Sequence, residues 1–176
     1  MTYITENINV VNRSFKARKL YENSERFKIL IRFVGDSENS LSVGSGPYEP
    51  IIIGTNAAID IAPNAEHYLR ELGWTGKFVL GTAENMPFKN KEFDTAVCSE
   101  LIEYLPTMDS VQKTIKEVAR VSNRWIFTTP CNPLRPKNTE PTHKRAFTLA
   151  DLRILFQRYK VNIWKDNLYW YIKYEK

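Results

Sequence analysis

The sequence predicts an α/β fold in which a mostly parallel sheet lies between two layers of helices. Short apolar runs alternate with amphipathic helical segments along the 176 residues, which is typical of a parallel sheet with helical crossovers. The first strand runs into a Gly-x-Gly turn within Leu41–Pro47, and the second strand ends in a carboxylate, Asp60. A doubly wound sheet uses a glycine turn and a strand-terminal carboxylate, at the carboxyl ends of its strands, to hold a nucleoside.

Composition and charge are those of an ordinary globular domain. Basic residues exceed acidic residues by 25 to 20, which gives a formal net charge of +5. The excess lies in the amino-terminal segment and at 135–160, where acids interleave with the bases, so we favour solvated helix faces over nucleic-acid binding. No apolar run approaches the roughly 20 residues that cross a bilayer, and the amino terminus lacks a secretory pattern. We therefore expect a cytoplasmic protein without membrane contact.

Two cysteines, Cys98 and Cys131, fall near the ends of predicted strands. Small buried thiols are a better interpretation than a disulfide, and this fits a reducing compartment. The two Cys and two His residues are widely spaced, so the sequence predicts no zinc site.

Hydrophobic periodicity divides the chain into helices and strands. The helices are predicted at 15–34, 64–72, 108–121 and 149–159. The strands are predicted at 41–43, 57–60, 76–80, 91–98, 125–129, 160–164 and 169–174, the last two antiparallel. The crossover between the first two strands is short for a parallel connection, so it must be a short helix or a turn. We expect one domain, with a helical extension at 1–40, a core at 41–176 and a polar loop at 133–145.

Four segments, arriving in a fixed order, make the pattern more specific. They are Leu41–Pro47, Ala58–Ile61, Gly81–Phe88 and Phe93–Pro106. Together they resemble the class I S-adenosylmethionine-dependent methyltransferases, and more narrowly their small-molecule branch. The resemblance spans about 41–156 and implies a Rossmann-like doubly wound sheet in three αβα layers, with antiparallel pairing at the carboxyl terminus. It also implies S-adenosylmethionine as cofactor, S-adenosylhomocysteine as product and an unidentified small molecule as methyl acceptor.

The resemblance also implies which residues contact the cofactor. The glycine turn would lie under the methionine part, Asp60 would accept hydrogen bonds from both ribose hydroxyls, and Ile61 would pack on the adenine face. Thr82 and Glu84 are alternative contacts to the adenine edge, and Ser99 would face the methionine tail. The implied cofactor residues are Gly44, Ser45, Gly46, Pro47, Asp60, Ile61, Thr82, Ala83, Glu84 and Ser99.

An oxygen or nitrogen acceptor also needs a general base, for which Glu100, Tyr104 and His143 are the candidates. Simpler interpretations of individual residues remain open. Glu100 and Glu103 fit acids early in a helix, where the helix dipole favours them. His143 fits a surface histidine, and Asp60 fits a cap of the following helix.

The chain departs from the family pattern at four positions. Ser42 stands where the family has an acid in the first loop, and Tyr48 stands where it has a third glycine. Thr82 replaces an adenine-site Asp, and Tyr104 replaces a His. Because tyrosine does not adopt glycine's backbone conformations cheaply, we expect the first loop to follow a different path.

These departures keep two further hypotheses open. The first is a non-catalytic module that keeps the fold for cofactor sensing or partner binding. The second is a nucleotide-dependent oxidoreductase, which is disfavoured because neither an extended glycine fingerprint nor a hydride-handling acid–base pair is visible.

Overall fold

The structure, a computed structural model, describes residues 24–131 and 143–175. Its helices are α1 (Glu25–Val34), α2 (Glu49–Ile53), α3 (Ala65–Glu71), α4 (Met108–Val121) and α5 (Leu149–Leu155). Its strands are β1 (Ser40–Val43), β2 (Ala57–Asp60), β3 (Lys77–Leu80), β4 (Phe93–Ser99), β5 (Ser122–Pro130), β6 (Asn162–Lys165) and β7 (Tyr169–Tyr174).

The strands form one sheet in the order β3-β2-β1-β4-β5-β7-β6. Strands β1 to β5 pair in parallel, whereas β7 pairs antiparallel with β5, and β6 antiparallel with β7. The predicted Rossmann-like α/β class with antiparallel carboxyl-terminal strands is therefore confirmed. The chain moves outward from β1 through β2 and β3 and then returns to the other side of β1. Open α/β sheets bind ligands at such a switch point, outside the carboxyl ends of the strands.

Helices cover both faces of the sheet, because successive strand residues point to opposite sides. On one face, α4 and α5 enclose the main core, where Trp125 of β5 packs near Phe156. On the other face, Phe27 of α1 packs in a cluster with Ile126 of β5. Helix α3 covers Ala58 on that same face. This arrangement is the three-layer αβα sandwich that the sequence predicts.

Helix α1 begins later than the sequence predicts. The backbone of Ser24 is extended, and its hydroxyl oxygen accepts a 3.3 Å hydrogen bond from the amide of Phe27, as an N-terminal cap does. The prediction of one continuous helix over 15–34 was therefore wrong at Ser24, and residues 15–23 lie outside the described part of the chain. The helix ends before Gly35, whose φ is +52°.

The short crossover between β1 and β2 is a helix of five residues, α2, as predicted. Pro50 occupies its first turn, where no backbone amide is needed, and Gly54 ends it in the left-handed conformation. Helix α5 ends at Leu155, a turn earlier than predicted.

Within 24–131 and 143–175, no helix is long and apolar enough to cross a membrane. Both cysteines are free thiols; Cys98 is buried in β4, as predicted, whereas Cys131, after β5, is only half-buried, so that part of the prediction was wrong.

Candidate functional site

The turn after β1 depends on its glycines. Gly44 and Gly46 have φ values of +67° and +56°, which residues with side chains rarely adopt. A Cβ on Gly44 would meet the end of the Leu101 side chain at 2.8 Å, so that side chain would have to move. A Cβ on Gly46 would meet no described atom within 4 Å, so Gly46 borders open space. The turn is thus a backbone cradle that a side chain on Gly46 would fill.

Asp60, at the end of β2, lies against this turn. Its Oδ2 accepts a 2.8 Å hydrogen bond from the amide of Gly46, and its Oδ1 accepts one of 2.8 Å from the amide of Ala62. Each carboxylate oxygen can accept a second hydrogen bond, as a ribose diol would require. Helix α3 begins at Ala65 after Asn64, so the alternative interpretation of Asp60 as its cap was wrong.

The predicted adenine-edge segment follows β3 and lies beside Asp60. The amide of Gly81 donates a 2.9 Å hydrogen bond to the backbone carbonyl of Asp60, which brings the two strand ends together. Thr82 is exposed, Ala83 is buried and Glu84 is half-buried. Thr82 and Glu84 both remain predicted contacts to the base.

Two exposed apolar side chains flank Asp60. Ile61 follows it directly and is 71% exposed, and Leu80, its partner across the β2–β3 pair, is 60% exposed. Large apolar side chains left open beside a polar group are typical of a ligand surface. Ile61 was predicted to pack on adenine, whereas Leu80 was missed. The sequence feature that could have indicated Leu80 is its position at the end of β3, directly before Gly81.

Ser99, at the end of β4, is covered by a side chain from α1. Its Oγ accepts a 2.5 Å hydrogen bond from Nη1 of Arg26 and lies 3.0 Å from the Thr128 hydroxyl oxygen. The guanidinium of Arg26 also lies 4.5 Å and 5.0 Å from the ring centres of Phe27 and Tyr169, within cation–π range. The hydroxyl predicted to face the methionine tail is thus held between Arg26 and Thr128.

Carboxylates surround Arg26. Burial lowers the pKa of Arg26, but the charges of Glu100 and Glu49 raise it by more, so the pKa is above its ordinary value. Neither Arg26 nor Glu49 was predicted as a site residue, because both sit in the first turns of helices, where a charged residue is ordinary.

Glu100 has a strained backbone at the end of β4. Its φ is +53°, which is uncommon for a residue other than glycine. The strain is held by two contacts to Thr128: its amide donates to the Thr128 carbonyl at 3.0 Å, and its Oε1 accepts from the Thr128 hydroxyl at 3.2 Å. Strained residues cost about 1–3 kcal/mol and cluster at functional sites.

Glu103 is buried close to Glu100, with 1% of its surface exposed. Its Oε2 accepts a 3.1 Å hydrogen bond from Thr129, while its buried Oε1 has no hydrogen-bond partner among the residues that the structure describes. Burial, and then the charge of Glu100, raise the pKa of Glu103 well above its usual range. Helix α4 begins only at Met108, so the interpretation of both acids as early helix residues was wrong.

The remaining predicted bases lie together. The rings of Tyr104 and His143 are 4.6 Å apart at 81°, an edge-to-face contact. The amide of Lys144 donates a 2.9 Å hydrogen bond to the carbonyl of Glu103, which ties the segment at 143–145 to the end of β4. Residues 133–142 of the predicted polar loop lie outside the described part.

The backbone of Tyr48 does not adopt the left-handed conformation that favours glycine. Its φ is −147°, in a region that any residue adopts, and its ring packs on the cluster that contains Phe27 of α1. Helix α2 begins directly after it, so the turn passes into a helix without a third glycine.

Comparison with known proteins agrees with this geometry. The model of a methyltransferase domain family matches residues 41–124. The uncharacterised methyltransferase YcgJ of Bacillus subtilis strain 168 is 25% identical over 137 residues, which are 70% of this chain and 53% of that protein. The chain therefore spans about half the length of the curated relative that it matches.

Solved methyltransferase structures share the fold. A protein from Thermotoga maritima, described as a SAM-dependent methyltransferase and possible histamine N-methyltransferase, has a TM-score of 0.75 and 17% identity over 96% of this chain and 95% of that chain. A SAM-dependent methyltransferase from Archaeoglobus fulgidus has a TM-score of 0.74 and 15% identity over 96% and 99%. The YcgJ structure has a TM-score of 0.64 and 20% identity over 78% and 68%.

The matched segment contains the glycine turn, Asp60 and the ends of β3 and β4, the same parts that the structure brings together. With the sheet order, the likeness to solved structures shows that the chain has the fold of S-adenosylmethionine-dependent methyltransferases, and its residues 41–124 match the methyltransferase domain family.

Proposed function

We propose that this protein binds S-adenosylmethionine at the glycine turn and transfers its methyl group to a small-molecule acceptor, leaving S-adenosylhomocysteine. The observation that carries the proposal is the hydrogen bond between Asp60 and the amide of Gly46, beside the open space above Gly46. The Asp60 carboxylate can accept hydrogen bonds from a diol, and it lies next to backbone at Gly46 that no described side chain covers. A nucleoside with an amino-acid tail requires this arrangement.

The chain's own residues fit each part of such a ligand. Asp60 has lone pairs for the ribose diol, and the open space at Gly46 leaves room for the tail. The exposed side chains of Ile61 and Leu80 offer an apolar surface for the base. When bound, the cofactor supplies a methyl group that its positively charged sulfur has already activated.

The protein's part in the reaction is placement of the acceptor and removal of a proton. The acceptor's oxygen or nitrogen gains the methyl group as the sulfur–methyl bond breaks, and the proton that it loses passes to a base. We propose Glu100, Tyr104 and His143 as the groups on the acceptor side. The ring contact of Tyr104 with His143 and the strained backbone of Glu100 support this placement.

The acceptor class is tested by methyl transfer in a cell extract. The protein is incubated with S-adenosylmethionine that carries a tritiated methyl group, and the products are separated by size. Label in the low-molecular-weight fraction, dependent on the protein, supports a small-molecule acceptor. Label in RNA, DNA or protein would overturn that acceptor class while leaving methyl transfer intact. We also propose a cytoplasmic location, which cell fractionation would test.

A second candidate function is cofactor binding without catalysis. The observations that favour it are the family departures at Ser42, Thr82 and Tyr104. Saturable binding of S-adenosylhomocysteine without transfer of label to any fraction would support this function over the first.

A further inference from the structure

Strand β1 lacks the acid that the family pattern places at Ser42, but a carboxylate reaches this position from α2. The hydroxyl of Ser42 donates a 2.6 Å hydrogen bond to Oε1 of Glu49. Both residues are buried, with 0% and 6% of their surfaces exposed. A buried carboxylate is costly unless it has partners, so its place beside the glycine turn requires an explanation.

The Ser42–Glu49 contact closes the glycine turn. Ser42 lies in β1 before the turn and Glu49 is the first residue of α2 after it, so the contact ties the two ends together. Asp60 holds the middle of the turn through the amide of Gly46. Two carboxylates, from different elements, therefore fix one backbone turn.

The groups that face Glu49 come from two other elements. Arg26 of α1 is the cation, and Glu100, after β4, is a second anion. The thiol of Cys98 in β4 also lies within the electrostatic reach of Glu49. Burial raises the pKa of Glu49 to about 7, although Arg26 and the hydrogen bond from Ser42 act in the opposite direction.

We propose that Glu49 is a positioning residue: its ionised carboxylate, acting through Ser42, holds the glycine turn in the conformation that binds the cofactor. This inference rests on the proposed function. The ionised form is the competent one because it accepts a hydrogen bond from the Ser42 hydroxyl and its charge is attracted to the guanidinium of Arg26. A protonated carboxyl group could still accept through its carbonyl oxygen, but it would accept more weakly and would carry no charge to attract the guanidinium of Arg26.

The inference predicts a pH dependence of cofactor affinity that belongs to Glu49. The dissociation constant of S-adenosylhomocysteine is measured by isothermal titration calorimetry between pH 6 and pH 8. For the wild type the affinity should weaken by roughly three- to tenfold from pH 8 to pH 6, as one group that titrates near 7 becomes protonated. In Glu49→Gln the affinity should be weaker at pH 8 by about 5- to 150-fold, the usual range of coupling between sites, and should change little with pH.

Matched variants separate positioning from a merely structural role. Glu92→Gln removes a surface carboxylate that caps the amide of Lys89, and it should keep the wild-type pH profile.

Ser42→Ala should weaken binding without removing the charge, and the Ser42→Ala/Glu49→Gln double variant should bind no worse than the weaker single variant. Thermal unfolding at pH 8 should show Glu49→Gln at least as stable as the wild type, because the raised pKa of Glu49 means that the fold disfavours its charged form. Should that variant not fold, Ser42→Ala carries the test alone.

The outcomes distinguish this inference from the proposed function. Wild-type affinity and pH profile in Glu49→Gln, or in Ser42→Ala where Glu49→Gln does not fold, would overturn the positioning role and leave the proposed function standing. A wild-type protein that does not bind S-adenosylhomocysteine at any pH would overturn both.

Discussion

Asp60 and Gly46 are joined by a 2.8 Å hydrogen bond from the glycine amide to the carboxylate. The bond connects the end of β2 to the turn after β1, at the switch point of the sheet. Because the carboxylate is oriented before any ligand arrives, a diol that binds there need not order it. Less binding free energy is then lost to ordering the site, which is the usual benefit of a preformed pocket.

Replacement of Asp60 should weaken cofactor binding. Asp60→Ala removes a charged acceptor, so S-adenosylhomocysteine affinity should fall by about 1.5–3 kcal/mol, as for other hydrogen bonds to charged groups. Calorimetric titration measures this. Asp94 is the matched control, since it is an exposed carboxylate near the start of β4 that accepts a hydrogen bond from the amide of Asn39, at the amino-terminal ends of the strands and away from the proposed site. Asp94→Ala should bind normally, and normal binding by Asp60→Ala would remove Asp60 from the site.

A side chain at Gly46 should block binding without preventing folding. Gly46→Val would fill the open space over the turn and would add backbone strain of about 1–3 kcal/mol. Gly73 follows α3, has a φ of +83° and likewise has no described atom within 4 Å of an added Cβ. Gly73→Val should therefore show similar strain by thermal unfolding yet retain cofactor binding. Equal loss of binding in both variants would indicate that backbone strain, and not a side chain in the ligand space, causes the loss.

Stability without ligand should fall as pH rises above 5. The pKa of Glu49 is about 7 in the folded protein against an ordinary value of 4.5, so the fold favours its protonated form. The protonated form therefore adds up to about 3 kcal/mol to the free energy of unfolding. This contribution is fully present below about pH 4.5 and is lost as pH rises through 7. Denaturation with urea at pH 5 to 8 should show the decline in the wild type and a smaller one in Glu49→Gln. An identical decline in both would contradict the assignment to Glu49.

Loss of a proposed base should reduce methyl transfer and spare cofactor binding. Positioned general bases contribute roughly 100- to 10,000-fold, so transfer of tritium in an extract should drop by about that factor in the variant that lacks the base. His143→Asn and Tyr104→Phe test the edge-to-face pair. His67→Asn is the control, because His67 is an exposed residue of α3 that lies 3.3 Å from Glu71. Unchanged transfer in both test variants would leave Glu100 as the remaining candidate.

The mostly parallel sheet and the place of Asp60 could be predicted because their signals are local. An apolar strand, a glycine turn and a strand-terminal acid lie close together in the sequence, and the parallel pairing of β1 with β2 brings them together. The shortness of the crossover also followed from the number of residues between the two strands, although the sequence left a short helix and a turn as alternatives and the structure shows the helix α2. Such features depend on chain length and periodicity, which the sequence displays directly.

The contacts of Arg26 and Glu49 could not be predicted because they depend on packing between distant elements. Arg26 and Ser99 are 73 residues apart, and nothing in the pattern of α1 distinguishes this arginine from its basic neighbours. Glu49 resembles an ordinary acid at a helix start, but its side chain turns back to the sheet and meets Ser42. The start of α1 at Glu25 was missed because the apolar periodicity outweighed the capping signal of Ser24.

A crystal structure of the protein with S-adenosylhomocysteine tests the site most directly. The ribose oxygens should lie about 2.5–2.8 Å from the two carboxylate oxygens of Asp60, with the amino-acid tail over Gly46. A ligand whose ribose lies elsewhere, or a turn that closes over Gly46 and excludes the tail, would contradict the proposed site.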